Sequence, residues 1–214
     1  MMGPMIIEAV RGDITRQSTD AIVNAANSGL LGGGGVDGAI HRAAGPRLLR
    51  ACRELRRTAL PNGLPVGEAV ATRAFNLPCR WVIHTVGPNR HAGQTDPALL
   101  RAAFVNSLRL ANELGCTSVS LPAVSAGVYG WEARDVARIG IAAAHAFTIS
   151  KDETDLRTSD RTCEPTDAPS PSDEEDGATV EPSAGTTVEL IRFVLFNQRL
   201  LDVFETEIDF RRSE

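Results

Sequence analysis

Two carboxamides, a run of glycines and a single carboxylate lie close together between Ala21 and Gly45, in AIVNAANSGLLGGGGVDGAIHRAAG. Gly32, Gly33, Gly34 and Gly35 have no β-carbon, so their N–H groups can approach a ligand closely and adopt positive φ. The run leads into Val36–Asp37–Gly38–Ala39–Ile40–His41, which reads as the first turns of a helix. A glycine loop feeding a helix N-terminus is an anion site, because unsatisfied N–H groups and the helix dipole both favour negative charge. Phosphate is therefore the first ligand the segment predicts. A flexible linker is the rival reading of four glycines. The flanks oppose it: Ala21–Ile22–Val23 is strand-like, and the helix follows without a polar spacer.

Other glycine motifs fit less well. Gly33 to Gly38 matches G-x-G-x-x-G, but in a dinucleotide fold the glycines follow the strand directly and an acid stands about 20 residues on. Here Asn24 to Leu31 intervene, and the later segment is the arginine-rich Arg47–Arg57. No Gly-Lys-Ser/Thr follows, which excludes a P-loop.

Composition narrows the classes further. A chain of 214 residues, 43% hydrophobic, can bury one core plus an excursion. Cys52, Cys79, Cys116 and Cys163 lie far apart, so neither a zinc site nor a disulfide framework is expected, and reduced thiols fit the cytoplasm. No signal peptide or transmembrane span is read, so no membrane role is expected. The net charge of -5 is unevenly spread: Lys151–Thr187 holds 11 acids and 3 bases, leaving the remainder at +3. The basic stretch Arg42, Arg47, Arg50, Arg53, Arg56 and Arg57 either favours an anionic ligand or is a solvated helix face. Aromatic residues make up only 5% of the chain, so nucleic acid is not the expected main ligand.

Strands are predicted at Met5–Val10, Ala21–Asn24, Glu68–Arg73, Trp81–Val86, Ser118–Val124 and Glu189–Phe196. Leu100, Phe104, Leu108 and Ala111 recur at helical spacing over about Pro97–Leu114. Val136, Ile139, Ala143 and Phe147 do so after Trp131, and Leu201, Phe204 and Ile208 near the end. Continuous apolar strands between helices imply an α/β fold with an open, mostly parallel sheet covered on both faces. Residues 150–187 break the rhythm. They are rich in Ser, Thr, Pro, Asp and Glu and too poor in apolar residues to offset the entropy of ordering. They read as a disordered insertion before the last strand, splitting a domain of 1–149 plus 188–214. Both glycine loops, Gly32–Gly35 and Gly127–Gly130, then lie at carboxyl ends of strands, where such sheets bind ligands. Two loops rich in N–H groups suit a nucleotide diphosphate.

The ordered set of motifs resembles the macrodomain family in its MacroD-type branch. NAANSGLLGGGGVDGAIHRAAG is similar to its signature and Gly12–Asp13–Ile14–Thr15 to its GDIT segment. Residues 65–72 and 82–88 resemble two family strands, and Ser125–Ala126–Gly127–Val128–Tyr129–Gly130 its second glycine loop. The resemblance implies a three-layer α/β/α fold with a mixed six-stranded sheet, and ADP-ribose as ligand. It also implies roles. Asp13 accepts from the adenine amino group and Ile14 frames the base. Asn24 and Asn27 sit on the NAAN turn, with Asn27 on hydroxyls of the distal ribose. Asp37 lies beside that ribose and a reactive water. Gly32, Gly33, Gly34, Gly35 and Val36 face Ser125, Ala126, Gly127 and Val128 across the diphosphate. Tyr129 covers the distal ribose, and Phe196 stacks on adenine.

From the residues alone, Asp13 could equally cap a turn, Asp37 could be a helix N-terminal acid, and Tyr129 and Phe196 could be core packing. His41 and His84 read as structural. Ala126 replaces a frequent family Thr, and Trp131–Glu132 a frequent aromatic–proline pair. The activity implied is hydrolysis of the ester between ADP-ribose and a carboxylate, on Asp or Glu of ADP-ribosylated proteins or in O-acetyl-ADP-ribose. Asn27 orients the ribose, and Asp37 positions or deprotonates water, assisted by the substrate's phosphate. No metal or cofactor is expected. The alternatives are a non-catalytic ADP-ribose reader and an interaction protein whose acidic insertion recruits a partner.

Overall fold

The sequence Ala21–Ala26, AIVNAA, is buried at every position but Ala25, which is half-buried. A strand covered on both sides must sit inside its sheet. In the computed structural model, which describes residues 5–154 and 186–213, this strand, β2, lies between β5 (Ser118–Leu121) and β4 (Trp81–Val86) and pairs parallel to both. β1 (Ile6–Arg11) and β6 (Leu190–Leu195) extend the sheet beyond β5, and β3 (Ala69–Arg73) closes the other edge antiparallel to β4. Among the described residues the order is β1-β6-β5-β2-β4-β3. This is the mostly parallel sheet that the pattern implied, with the six mixed strands that the resemblance implied.

Alternation along the strands assigns the two faces. Ala21, Val23 and Ile83 pack with Leu100, Phe104 and Leu108 of α3 (Pro97–Glu113), Ile141 of α4 (Ala133–Thr154) and Phe204 of α5 (Gln198–Arg212). Their neighbours Ile22 and Val82 point the other way, onto Ile40 of α1 (Gly35–Ala44) and Leu48 of α2 (Pro46–Arg57). Phe193 joins the first core to its helices, with ring centroids 6.2 Å from Phe104 and 5.1 Å from Phe204.

Several boundaries differ from expectation for local reasons. β2 runs to Ala26, so Asn24 is a strand residue and only Asn27 lies beyond the strand. β5 ends at Leu121 because Pro122 has no N–H to continue the ladder. The arginine-rich segment is a separate helix: Gly45, at φ 81°, ends α1, and Pro46 opens α2 at a position where a missing N–H costs nothing. α4 continues past residue 149 to Thr154. The acidic insertion expected at 150–187 otherwise falls on residues 155–185, outside the described residues. The chain rejoins the fold where the Thr187 N–H donates to Asn112 Oδ1 at 2.6 Å and Val188 is fully buried.

Candidate functional site

Parallel strands place their carboxyl ends along one edge of the sheet, and the loops leaving β1, β2, β5 and β6 converge there on a cavity of about 890 Å³. Its walls include Gly12–Ile14 after β1, Asn27 and Gly33–Asp37 after β2, Pro122–Ser125 and Gly127–Tyr129 after β5, and Val194–Phe196 at the end of β6. The two glycine loops therefore share one cavity, as their places after strands suggest. Asn24, Gly32 and Ala126 do not line it.

The first loop forms the N-terminus of α1. Its cap residue Gly34 makes no side-chain hydrogen bond, so the first-turn N–H groups have no side-chain acceptor. Such an end favours an anion. Neither Gly34 nor Gly127 has a heavy atom within 4 Å of where a β-carbon would stand, so both border open space. The second loop leaves Ser125 at φ 66°. It fits only because Gly87 is bare: a β-carbon there would run into the Ser125 hydroxyl and Val124.

Asp13 does two things at once. Its Oδ1 accepts from the Thr15 N–H at 2.9 Å and the Thr15 hydroxyl at 2.7 Å, capping the 3-10 turn Ile14–Arg16, while the residue lines the cavity. The Thr15 hydroxyl and then its N–H hold the Asp13 carboxyl below its ordinary range. Rim residues Val128 and Phe196 are 86% and 75% exposed, which rules out core packing for them. Phe196 lies one residue beyond β6 instead of ending it.

Asp37 sits in the first turn of α1 yet is only 4% exposed. Its Oδ1 accepts from Asn24 Nδ2 at 2.7 Å and lies 3.5 Å from His41 Nε2. Its Oδ2 is buried without a hydrogen-bond partner among the described residues. A β-carbon on Gly33 would stand 3.1 Å from that oxygen and 3.3 Å from Asn27 Nδ2, so the bare Gly33 separates carboxylate and carboxamide at the cavity wall. Asn27 Nδ2 is anchored on the Gly32 carbonyl at 3.0 Å.

Sequence reasoning missed the layer beneath. His84 of β4 pairs in register with Asn24 of β2. Its Nδ1 lies 3.1 Å from Asn24 Nδ2, and its Nε2 lies 3.0 Å from Thr72 Oγ1. Burial, then the nearby His41, pushes the imidazole pKa down to about 3, so His84 is neutral. Cys52 approaches it at 3.8 Å, and burial followed by the Asp37 charge pushes this thiol up to about 12. The available signal was the polar His-Thr pair interrupting WVIHTV, which is uninformative until register places it beside Asn24. Among the described residues no group of three or more His, Cys, Asp or Glu side chains is placed to hold a metal, and no helix is long and apolar enough to cross a membrane.

Known proteins resemble this chain in sequence and fold. A model of the Macro domain matches residues 23–140. An O-acetyl-ADP-ribose deacetylase from Escherichia fergusonii is 51% identical over 142 residues, covering 66% of this chain and 79% of its own. The Oceanobacillus iheyensis macrodomain with ADP superposes with a TM-score of 0.78 at 34% identity, over 100% of this chain and 96% of its own. The Trypanosoma brucei macrodomain in complex with ADP-ribose gives 0.71 at 33% identity, over 94% and 68%. Together with a cavity built from two glycine loops at the carboxyl edge of a mixed six-stranded sheet, these matches place the chain in the Macro domain family.

Proposed function

We propose that the cavity binds ADP-ribose and that the protein hydrolyses the ester joining ADP-ribose to a carboxylate, in O-acetyl-ADP-ribose or on ADP-ribosylated Asp and Glu of proteins. The observation that carries this reading is the buried Asp37 carboxylate, which flanks the bare Gly33 together with Asn27 at the wall of a cavity lined by both glycine loops. Asp37 also lines the cavity, so its carboxylate can serve a water bound at that wall. In this role Asp37 accepts from the water and turns the water's lone pair toward the ester, while Asn27 holds the distal ribose. The glycine loops neutralise the diphosphate, Asp13 and Ile14 frame the adenine, and Phe196 covers it. Tyr129 closes the ribose end. Water adds across the ester, giving ADP-ribose and a carboxylic acid that releases its proton to solvent. The deacetylase relative and the ADP-ribose-bound macrodomain support the same ligand and reaction class.

Incubation of the protein with O-acetyl-ADP-ribose, and separately with a peptide ADP-ribosylated on Glu, tests the reading through chromatographic release of ADP-ribose. Turnover that disappears in Asp37→Ala supports it. A protein that binds ADP-ribose with a dissociation constant of order micromolar, roughly -8 kcal/mol, but never turns over is a reader instead.

In the same reading residues 150–187 are an insertion into a domain of 1–149 plus 188–214, without a step in the reaction. The protein works in the cytoplasm, where Cys52, Cys79 and Cys116, unbonded in the structure, stay reduced. Replacing 155–185 by a short Gly/Ser linker leaves affinity and turnover unchanged if this is right. Loss of a co-purifying partner on deletion would instead give the segment a recruiting role.

A further inference from the structure

We infer that Asn24 is a positioning residue, not a ligand contact: from inside β2 it holds Asp37 Oδ1 and so sets the orientation of the carboxylate of this cavity-lining residue, and His84 holds Asn24. The inference rests on the hydrolase reading of the same site. Asn24 is fully buried and absent from the cavity wall, so it reaches a ligand only through another side chain.

Hydrogen-bond chemistry fixes its orientation. Asn24 Nδ2 stands 2.7 Å from Asp37 Oδ1 and 3.1 Å from His84 Nδ1. Turned over, the amide would set its carbonyl oxygen against the carboxylate and waste both donors. Both N–H bonds are therefore spent, one on each neighbour, and Asn24 Oδ1 is left buried without a partner among the described residues. For His84 Nδ1 to accept, the proton must sit on Nε2, where Thr72 Oγ1 lies 3.0 Å away. Burial keeps this imidazole neutral, so it offers one acceptor and one donor and cannot reverse them without breaking one bond. The sequence Thr72, His84, Asn24, Asp37 thus runs from β3 across β4 and β2 to α1 and sets one torsion, that of the carboxylate at its end.

The uncompensated Asn24 Oδ1 is itself informative. A buried polar atom without a partner destabilises the fold. An apolar residue in β2 would avoid that cost, so the cost accompanies the orientation of Asp37.

The test uses the full chain, with turnover of O-acetyl-ADP-ribose, ADP-ribose affinity by calorimetry, and melting temperature. Asn24→Ala is expected to lower kcat at least tenfold while the dissociation constant for ADP-ribose stays within threefold. Adding Asp37→Ala to Asn24→Ala is expected to cost no more than Asp37→Ala alone, since the first acts through the second. His84→Leu is expected to lower kcat in the same way, and His84→Gln, whose amide oxygen can accept from Asn24, to recover part of it. The His84 pair also serves if Asn24→Ala fails to fold. A tenfold loss of ADP-ribose affinity in folded Asn24→Ala would return Asn24 to the ligand contacts and overturn the inference. Losses that multiply in the double variant, or equal activity of His84→Leu and His84→Gln, would overturn it as well. Wild-type protein inactive on every ester would overturn the hydrolase reading itself, an outcome distinct from active wild type with active Asn24→Ala.

Discussion

Gly38 on the first turns of α1 lies directly under the Gly33 carbonyl: a β-carbon at residue 38 would fall well inside van der Waals contact with that oxygen and 3.2 Å from Arg42 Nη1. Helix propensity alone favours alanine over glycine here by about 1 kcal/mol. Overpacking against backbone costs about 1–3 kcal/mol, so packing wins. Gly38→Ala is expected to push the Gly33 loop outward, lower the melting temperature by a few degrees and weaken ADP-ribose binding. Calorimetry on both protein and ligand reads the two effects, and an unshifted affinity would show that the loop yields without moving the site.

Asn27→Ala and Asp37→Ala are each expected to reduce turnover at least tenfold, about 1.4 kcal/mol of barrier. They should part in affinity. Asn27 also ties the loop through its 3.0 Å bond to the Gly32 carbonyl, so its loss weakens ADP-ribose binding. Asp37→Ala removes the group assigned to the water and spares more of the binding. Equal losses of affinity in the two variants would break that division of labour.

Phe196 is three-quarters exposed at the cavity rim, so Phe196→Ala is expected to leave the melting temperature within a degree or two. Stacking of a base on an aromatic ring contributes about 1–3 kcal/mol. The variant should therefore lose roughly tenfold in ADP-ribose affinity yet bind ribose 5-phosphate as the parent does. Comparable losses for both ligands would move the adenine elsewhere.

Asp20 provides an acid-sensitive joint remote from the site. Its Oδ2 accepts from the Thr117 N–H and hydroxyl, both at 2.8 Å, and from the Ser118 N–H at 3.2 Å, stitching the start of β2 to the start of β5. Burial raises its pKa, but these hydrogen bonds and Arg80 together outweigh it and hold the carboxyl below the ordinary 3.8. A depressed folded pKa means the unfolded chain binds the proton more readily. The contribution is thus complete above about pH 4 and lost as pH falls through the folded value. Asp20→Ala should lower the melting temperature at pH 7, and the gap should narrow below pH 4. A gap that stays constant down to pH 2 would contradict the assignment.

The sheet was legible because its signal is local. AIV and WVI are apolar segments of β2 and β4, the strands buried on both faces, which need little else. The glycine loops were legible for the same reason. Register was not. Nothing in WVIHTV says that His84 faces Asn24, since pairing is decided by strands 60 residues apart. Asn24 and Asn27 look alike in NAAN, yet one is the fourth residue of β2 and the other lies past its end. Asp13 illustrates a different limit. Turn cap and adenine acceptor were rival readings; the structure shows the cap and also sets the residue at the cavity wall, so one does not exclude the other. The division between α1 and α2 depended on one backbone angle, at Gly45, which composition does not reveal.

Gly34 opens α1 in extended backbone, φ -93° and ψ -178°, a conformation any residue adopts, with empty space where a side chain would go. Its glycine is therefore not required by geometry. Serine or aspartate would serve a helix start better, by a few tenths of a kcal/mol. Either would also put its own oxygen over the first-turn N–H groups and compete with whatever anion comes to them. A lineage screened only for thermal endurance would be expected to fill this position, and in doing so to evict its ligand. Position 34 is therefore where a stabilising cap and an open anion site would exclude one another.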